Sequence, residues 1–313
     1  MADKIATRES YGKALVEFGA KYEDLVVLDA DLAAATKTGM FKKAFPDRFF
    51  DCGIAENNMM GVAAGLALSG KIPFASSFAM FAAGRSFEQV RNSIGYPHVN
   101  VKIGATHGGI TVGEDGATHQ CCEDFALMRV IPGMTVICPA DDTEARQAVE
   151  AAIKYNGPVY LRFGRMAVPT VHSEDYKFEI GRGVTLADGK DVAIIANGVE
   201  VAEALEAREI LAAEGIDAAV INMATIKPLD TALVIEAAKK TGLVVTAEEH
   251  SVIGGLGSAV SECLSENCPT PVLRVGVNDV YGRSGPAKEL LGLFGLDAKA
   301  IADKCREGLK LKK

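Results

Sequence analysis

The sequence has no tryptophan, only five histidines, and aromatic residues at just 6% of its 313 positions. Its cores must therefore be built from small and aliphatic side chains. None of the seven cysteines forms a C-x-x-C pair or a Cys/His cluster at zinc spacing, which excludes zinc-ribbon and thioredoxin-type motifs. Cys52, Cys121, Cys122, Cys138, Cys263, Cys268 and Cys305 are expected as buried or free thiols of a reducing compartment. A basic excess is also missing. Lys and Arg number 33 against 41 Asp and Glu, a net charge of −8, which argues against non-specific binding to nucleic acid or to an anionic membrane. The most apolar stretch, residues 72–84, is too short to span a bilayer and includes Ser76 and Ser77. Residues 1–10 hold no apolar signal segment, so a cytoplasmic location is expected.

What is present is an alternation. Strand-length apolar runs at 25–28, 48–51, 73–76, 99–103, 134–137 and 159–162 are separated by helix-period stretches near 7–22, 56–69, 78–93 and 141–155. Such alternation predicts an α/β fold with a parallel sheet covered on both faces. Residues 169–190, rich in Gly, Asp and Glu, read as a linker between a first domain at 1–168 and a second at 191–313. The second repeats the rhythm, with strands at 192–196, 218–221, 243–246 and 272–275, and ends in one amphipathic helix over its last 25 or so residues. Two parallel-type α/β sandwich domains are thus expected.

Phosphate-loop, dinucleotide, zincin and nucleophile-elbow signatures are all missing. Two constellations remain. Glu56 falls in the first turn of a predicted helix, after Cys52-Gly53-Ile54-Ala55, and that helix carries Gly61, Gly65 and Ser69 as a small-residue seam. One reading is a charge complementing the helix dipole. The other is a carboxylate partly desolvated by a second helix on the seam, able to share a proton. The second constellation is the loop from Gly104 to Gln120, with five glycines, two acids, His107 and His119 at a strand's carboxyl end. Ligands of open α/β sheets bind there, and paired histidines with acids move protons near neutral pH. A turn scaffold with satisfied histidines is the alternative.

The segment Thr106-His107…Gly113-Glu114-Asp115-Gly116-Ala117-Thr118-His119-Gln120 closely resembles the substrate loop of transketolases. Asp51-Cys52-Gly53-Ile54-Ala55-Glu56, Ala6-Thr7-Arg8, Asp29-Ala30-Asp31-Leu32, Ser77-Phe78-Ala79-Met80-Phe81, Glu248-Glu249-His250…Gly254-Gly255-Leu256-Gly257-Ser258 and Asp279-Val280-Tyr281-Gly282-Arg283-Ser284-Gly285 resemble further family segments in the family's order. The resemblance implies a pyrimidine-binding domain for thiamine diphosphate followed by the transketolase C-terminal domain. It implies that Glu56 hydrogen-bonds the cofactor's aminopyrimidine and promotes loss of the thiazolium C2 proton. Phe78 and Phe81 would wall the pyrimidine, and Asp31 would lie near the cofactor or a subunit contact. His107 and His119 would handle hydroxyl protons and the carbonyl oxygen, Asp115 would read a substrate hydroxyl, and Arg8 and Arg162 would hold the sugar phosphate.

The family's G-D-G segment with paired asparagines, which carries the diphosphate and its divalent metal (Mg or Ca), is missing here. The resemblance therefore implies half of a two-subunit enzyme, with no metal ligands of its own. Its partner would be an N-terminal-half subunit, assembled with a dimer of this chain as α2β2, and its substrates sugar phosphates of the pentose phosphate pathway type. A phosphate-contacting serine of many family members is replaced by Ala33-Ala34-Ala35. A deoxyxylulose-phosphate synthase-like subunit, a 2-oxo-acid dehydrogenase β-like subunit and a non-catalytic scaffold are the alternatives.

Overall fold

The computed structural model describes residues 4–312 and forms three sheets from them. In chain order the strands are β1 (Lys4–Ala6), β2 (Leu25–Asp29), β3 (Phe49–Asp51), β4 (Ile72–Phe78), β5 (Lys102–Thr106), β6 (Thr135–Ile137), β7 (Val159–Phe163) and β8 (Ala167–Pro169). They continue with β9 (Val184–Ala187), β10 (Val192–Ala196), β11 (Ala218–Asn222), β12 (Thr225–Lys227), β13 (Val244–Ser251) and β14 (Val272–Val277).

The first sheet has the order β12-β6-β7-β5-β4-β2-β3 and is parallel except for β12. Strands β2, β5 and β7 are buried along their whole length, so both faces need cover. Helices Thr7–Gly19 and Asp142–Lys154 cover one face, and Glu56–Leu68 with the segment 80–95 covers the other. The second sheet, β14-β13-β10-β11-β9, is parallel except for β9 and lies between helices Glu200–Ala212 and Ala298–Leu311 on one side and Thr231–Thr241 and Leu256–Asn267 on the other. The expected pair of α/β sandwiches is present.

Several local expectations shift. The strand read at 99–103 is β5, three residues further on. Its Gly104 is required by close approach, because a Cβ there would overlap the Tyr11 ring and hydroxyl. Lys102 in β5 is fully buried and donates to Asn100 Oδ1 at 2.6 Å and to the carbonyls of Tyr155 and Gly157 at 2.7 Å, while burial pulls its ammonium down to about 7. The stretch 78–93 is not one helix. Phe78 ends β4, and wide π-type turns follow, with Ser86 N donating to Phe81 O. The last residues form two helices, Ala287–Leu293 and Ala298–Leu311, because Asp297 caps a new helix start at Ala300 N.

The linker is not free either. Its β9 is the antiparallel edge of the second sheet, while β12, from the expected second domain, joins the first sheet beside β6. His172 sits in a buried network between the domains. Asp141 Oδ2 accepts from the amides of Val171 and His172 and pairs with His172 Nδ1 at 3.1 Å. Glu144 accepts from Tyr176 OH at 2.6 Å and from Asn222 Nδ2 of β11 at 2.8 Å. Burial opposes the imidazolium of His172, but the Asp141 hydrogen bond and the Glu144 and Asp141 charges outweigh it, so its pKa is raised above 6.5. For Asp141, the His172 and amide hydrogen bonds outweigh burial and hold the carboxyl low.

The sign of the pH dependence follows. The His172 contribution to stability is complete below the unfolded value near 6.5 and is lost as pH rises through the raised folded value. The Asp141 contribution is lost only as pH falls through its depressed one. Relative to His172→Gln, the wild-type unfolding free energy should therefore decline as pH climbs above about 6.5; Lys102, whose folded value is depressed, adds an opposite slope to both proteins alike. Urea melts across a pH series measure both slopes; an unchanged slope in the variant excludes this inter-domain latch.

Candidate functional site

The chain leaves β2 toward β3 on one side and returns to β4 and β5 on the other. Connections diverge at the carboxyl ends of β2 and β4, and such a switch point leaves a crevice. Glu56, the first residue of helix Glu56–Leu68, lies there and is 3% exposed. Arg85 Nη1 donates to both of its oxygens, at 3.3 and 3.2 Å. Phe78 ends β4, and the wide turn beginning at Met80 lays Phe81 nearly parallel to it, with ring centres 6.0 Å apart and planes 12° apart. Turns of this width are frequent at functional sites. A cavity of about 800 Å³ opens beside Phe81 and Arg85, with Glu123, Asp279 and Tyr281 also on its wall.

The expected seam does not account for the burial of Glu56. A Cβ on Gly61 or Gly65 would meet nothing, so among the described residues no helix lies against that face. Ile54 and Leu68 beside it are also exposed.

Strand β5 delivers His107 to the same crevice, where the residue adopts φ +58°. Its ring stacks on Phe78 at 3.8 Å, and His119 meets Phe81 edge-on at 5.4 Å. Arg8 Nη1 is 3.0 Å from His107 Nε2, and the other ring nitrogen is 2.8 Å from Thr106 Oγ1. A guanidinium only donates, so Nε2 accepts and Nδ1 carries the proton to Thr106. Burial, and then the Arg8 and Arg165 charges, pull this imidazole down to about 3, so it is neutral at physiological pH. Glu56, Phe78, Phe81, His107, His119 and Arg8 thus form one group.

Asp31 and Asp115 are exposed on neighbouring turns, and among the described residues neither hydrogen-bonds into this group. Asp31 has φ +61° on a turn organised by Asp29, which accepts from Leu32 N, Thr36 and Thr38. Burial raises Asp29 to about 6 despite these bonds.

Arg162 is elsewhere. It lies inside β7, 2% exposed, in an ion pair with Asp124 at 3.2 Å and over the Phe125 ring at 4.4 Å. Its Nη2 donates to the carbonyls of Cys121 and Glu249. Burial disfavours this cation, yet Asp124 and Glu249 outweigh that and raise its pKa. The expectation that Arg162 grips a phosphate is corrected: its guanidinium is buried, ion-paired with Asp124 and bonded through Nη2 to two backbone carbonyls. Arg165, just past the end of β7, is the half-buried cation at the loop, donating to Val112 O and to Glu114 at 2.6 Å. Sequence reading missed it, although strand period and the strand end together place Arg162 inside and Arg165 outside.

The C-terminal domain holds the histidine loop. Glu249 of β13 accepts from Thr111 N at 2.9 Å and Thr111 Oγ1 at 3.1 Å. Gln120 is buried and donates to Ile110 O and, across the domains, to Arg283 O at 2.9 Å. Gly108 lies so close to Arg162 that a Cβ would overlap the guanidinium. Glu248 serves its own domain, accepting from the amides of Leu256 and Gly257 at a helix start. These acids stood out in the sequence without a role.

Removing one member of a buried pair strands the other charge, at a cost of about 3–5 kcal/mol. Arg162→Ala and Asp124→Ala should each lose that much in denaturant unfolding, and the two losses should be strongly non-additive in the double variant. An Arg162→Ala protein of wild-type stability with only a raised KM would restore the phosphate reading.

Among the described residues no helix is long and apolar enough to cross a membrane, and no group of three or more His, Cys, Asp or Glu is placed to hold a metal. Residues 3–170 match the transketolase pyrimidine binding domain, and residues 181–301 the transketolase C-terminal domain. The chain is 54% identical over 306 residues to a transketolase C-terminal section of Methanocaldococcus jannaschii, covering 97% of this chain and 96% of that protein. It is 38% identical over 310 residues to human transketolase, covering 98% of this chain but 49% of that one. A solved structure described as a split gene transketolase, inactive beta4 tetramer, superposes with a TM-score of 0.92 at 57% identity, over 99% of this chain and 100% of that one. The chain therefore belongs to the transketolase family and comprises its pyrimidine-binding and C-terminal domains.

Proposed function

We propose that this chain is the C-terminal-half subunit of a two-subunit, thiamine-diphosphate-dependent transketolase, transferring a two-carbon ketol unit between ketose and aldose phosphates. The observation that carries this reading is one crevice holding a buried carboxylate, two parallel phenylalanine rings and two histidines beside an 800 Å³ cavity. The donor set fits an aminopyrimidine, which needs a flat apolar face and an acid at a ring nitrogen. When bound, the cofactor supplies a carbon nucleophile for the ketol unit.

Glu56 shares a proton with the pyrimidine, while Phe78 and Phe81 orient it and exclude water. His107, neutral and with Nε2 as its acceptor, takes a hydrogen bond from a substrate hydroxyl at Nε2 when Arg8 turns to the phosphate. The more accessible His119 is the better proton carrier. Asp115 reads a hydroxyl from the rim, and Asp31 faces the cofactor or a subunit contact. Arg8 and Arg165 take the phosphate. Arg8 is steadied by Ala35 O at 3.1 Å, within the segment where the resembling enzymes carry a serine. The diphosphate and its divalent metal, Mg or Ca, fall to an N-terminal-half partner carrying the G-D-G segment. The open face of helix Glu56–Leu68 is where further subunits close the crevice in an α2β2 assembly.

A coupled sugar-phosphate assay tests the reading. The purified chain alone should show no transfer, and the chain with its N-terminal-half partner should turn over. Glu56→Gln should slow deuterium exchange at C2 of the bound cofactor by roughly 10²–10⁴-fold. Arg165→Ala should raise KM for phosphorylated donors and leave hydroxypyruvate nearly unaffected. Robust turnover by the chain alone, or wild-type C2 exchange in Glu56→Gln, overturns the assignment.

A further inference from the structure

We propose that Arg85 is an internal stand-in for the cofactor's aminopyrimidine, occupying its place in the free chain and leaving it when the cofactor binds. The inference rests on the thiamine diphosphate reading above and adds a residue to it.

The guanidinium of Arg85 satisfies both requirements of that ring at once. Its Nη1 donates to the two oxygens of Glu56 at 3.3 and 3.2 Å. Its Cζ lies 4.6 Å from the centre of the Phe81 ring, over the face. A guanidinium is flat, delocalised and edged with N–H donors on an N–C–N unit, and it stacks on aromatic faces. An aminopyrimidine offers the same combination: a flat ring for the aromatic face and a ring nitrogen for the carboxylate. Both therefore compete for one carboxylate and one aromatic face.

The setting suits exchange. Glu56 is 3% exposed, so in the free chain its charge needs a partner or it stays desolvated and unpaired. The Arg85 side chain is 51% exposed, on the wide turn that also carries Phe81, so it can swing without unfolding anything. The cavity it borders has carboxylates on its wall, Glu123 and Asp279, to receive the displaced cation. Arg85 is thus a positioning residue: it keeps Glu56 paired and the ring face covered until the cofactor arrives, and lowers apparent cofactor affinity in doing so.

Equilibrium dialysis of thiamine diphosphate against the assembled two-subunit complex, at fixed magnesium, tests this. Arg85→Met keeps the side-chain length without charge or fork, and should bind about tenfold tighter, the size of a charge-assisted bond plus a cation–π contact. Arg85→Lys keeps the charge but not the flat fork and should lie between. A cooperative thermal melt of each free variant, even at a lowered midpoint, verifies folding. If the wild type binds and Arg85→Met binds equally or more weakly, the stand-in is wrong and the cofactor reading survives. Binding by Arg85→Met alone supports both. If no form binds, the cofactor reading falls and the stand-in with it.

Discussion

Burying a guanidinium is expensive, and the structure offsets it at Arg162 with an ion pair, two backbone carbonyls and an aromatic face, although Nε itself makes no hydrogen bond among the described residues. Asp124 lies at one edge, the Cys121 and Glu249 carbonyls at another, and the Phe125 ring beneath. Effective penalties of several kcal/mol per ion are offset only by close pairing of this kind. Those partners come from three places: the end of the histidine loop, the helix that follows it, and β13 of the C-terminal domain. One cation in β7 therefore fixes where two domains meet and where the loop between His107 and Cys121 begins and ends. Gly108 is a consequence, since nothing larger passes the guanidinium.

The two sheets use their switch points differently. In the first domain the crevice at the ends of β2 and β4 stays open and collects Glu56, the phenylalanines and the histidines. In the second, the corresponding groups turn inward. Glu249 takes the Thr111 amide and hydroxyl, and Cys122 O accepts from Ser251 N at 2.7 Å. The C-terminal domain thus shapes the crevice by holding the loop that carries His119 and Asp115, and by lining the cavity with Asp279 and Tyr281. Backbone at φ +58°, as at His107, persists only where the surroundings over-determine it, and this clamp does so.

Legibility followed locality. Alternating strands and helices are written in runs of five to fifteen residues, and both sandwiches were readable from them. The crevice group was readable because its members sit at strand ends beside turn residues. What failed was non-local. A short strand's own residues do not say which sheet it will join, so β9 fell within the expected linker and β12 within the expected second domain. The seam at Gly61 and Gly65 signals close approach but not by which chain. Arg162 and Arg165 differ only by which side of the end of β7 they fall on, and element ends are what patterns locate worst. Arg85 drew no notice because its partner, Glu56, is 29 residues away across a turn of unusual winding.

The dependence of the loop on Arg162 is the central claim, and native-state amide exchange on Arg162→Met measures it directly. The amides to follow are Gly109, bonded to Cys121 O, Thr111, bonded to Glu249, and Ser251, bonded to Cys122 O. The account predicts that all three lose protection together while the amides of β2 and β4 keep theirs. Wild-type protection at Thr111 and Ser251 in that variant would contradict it.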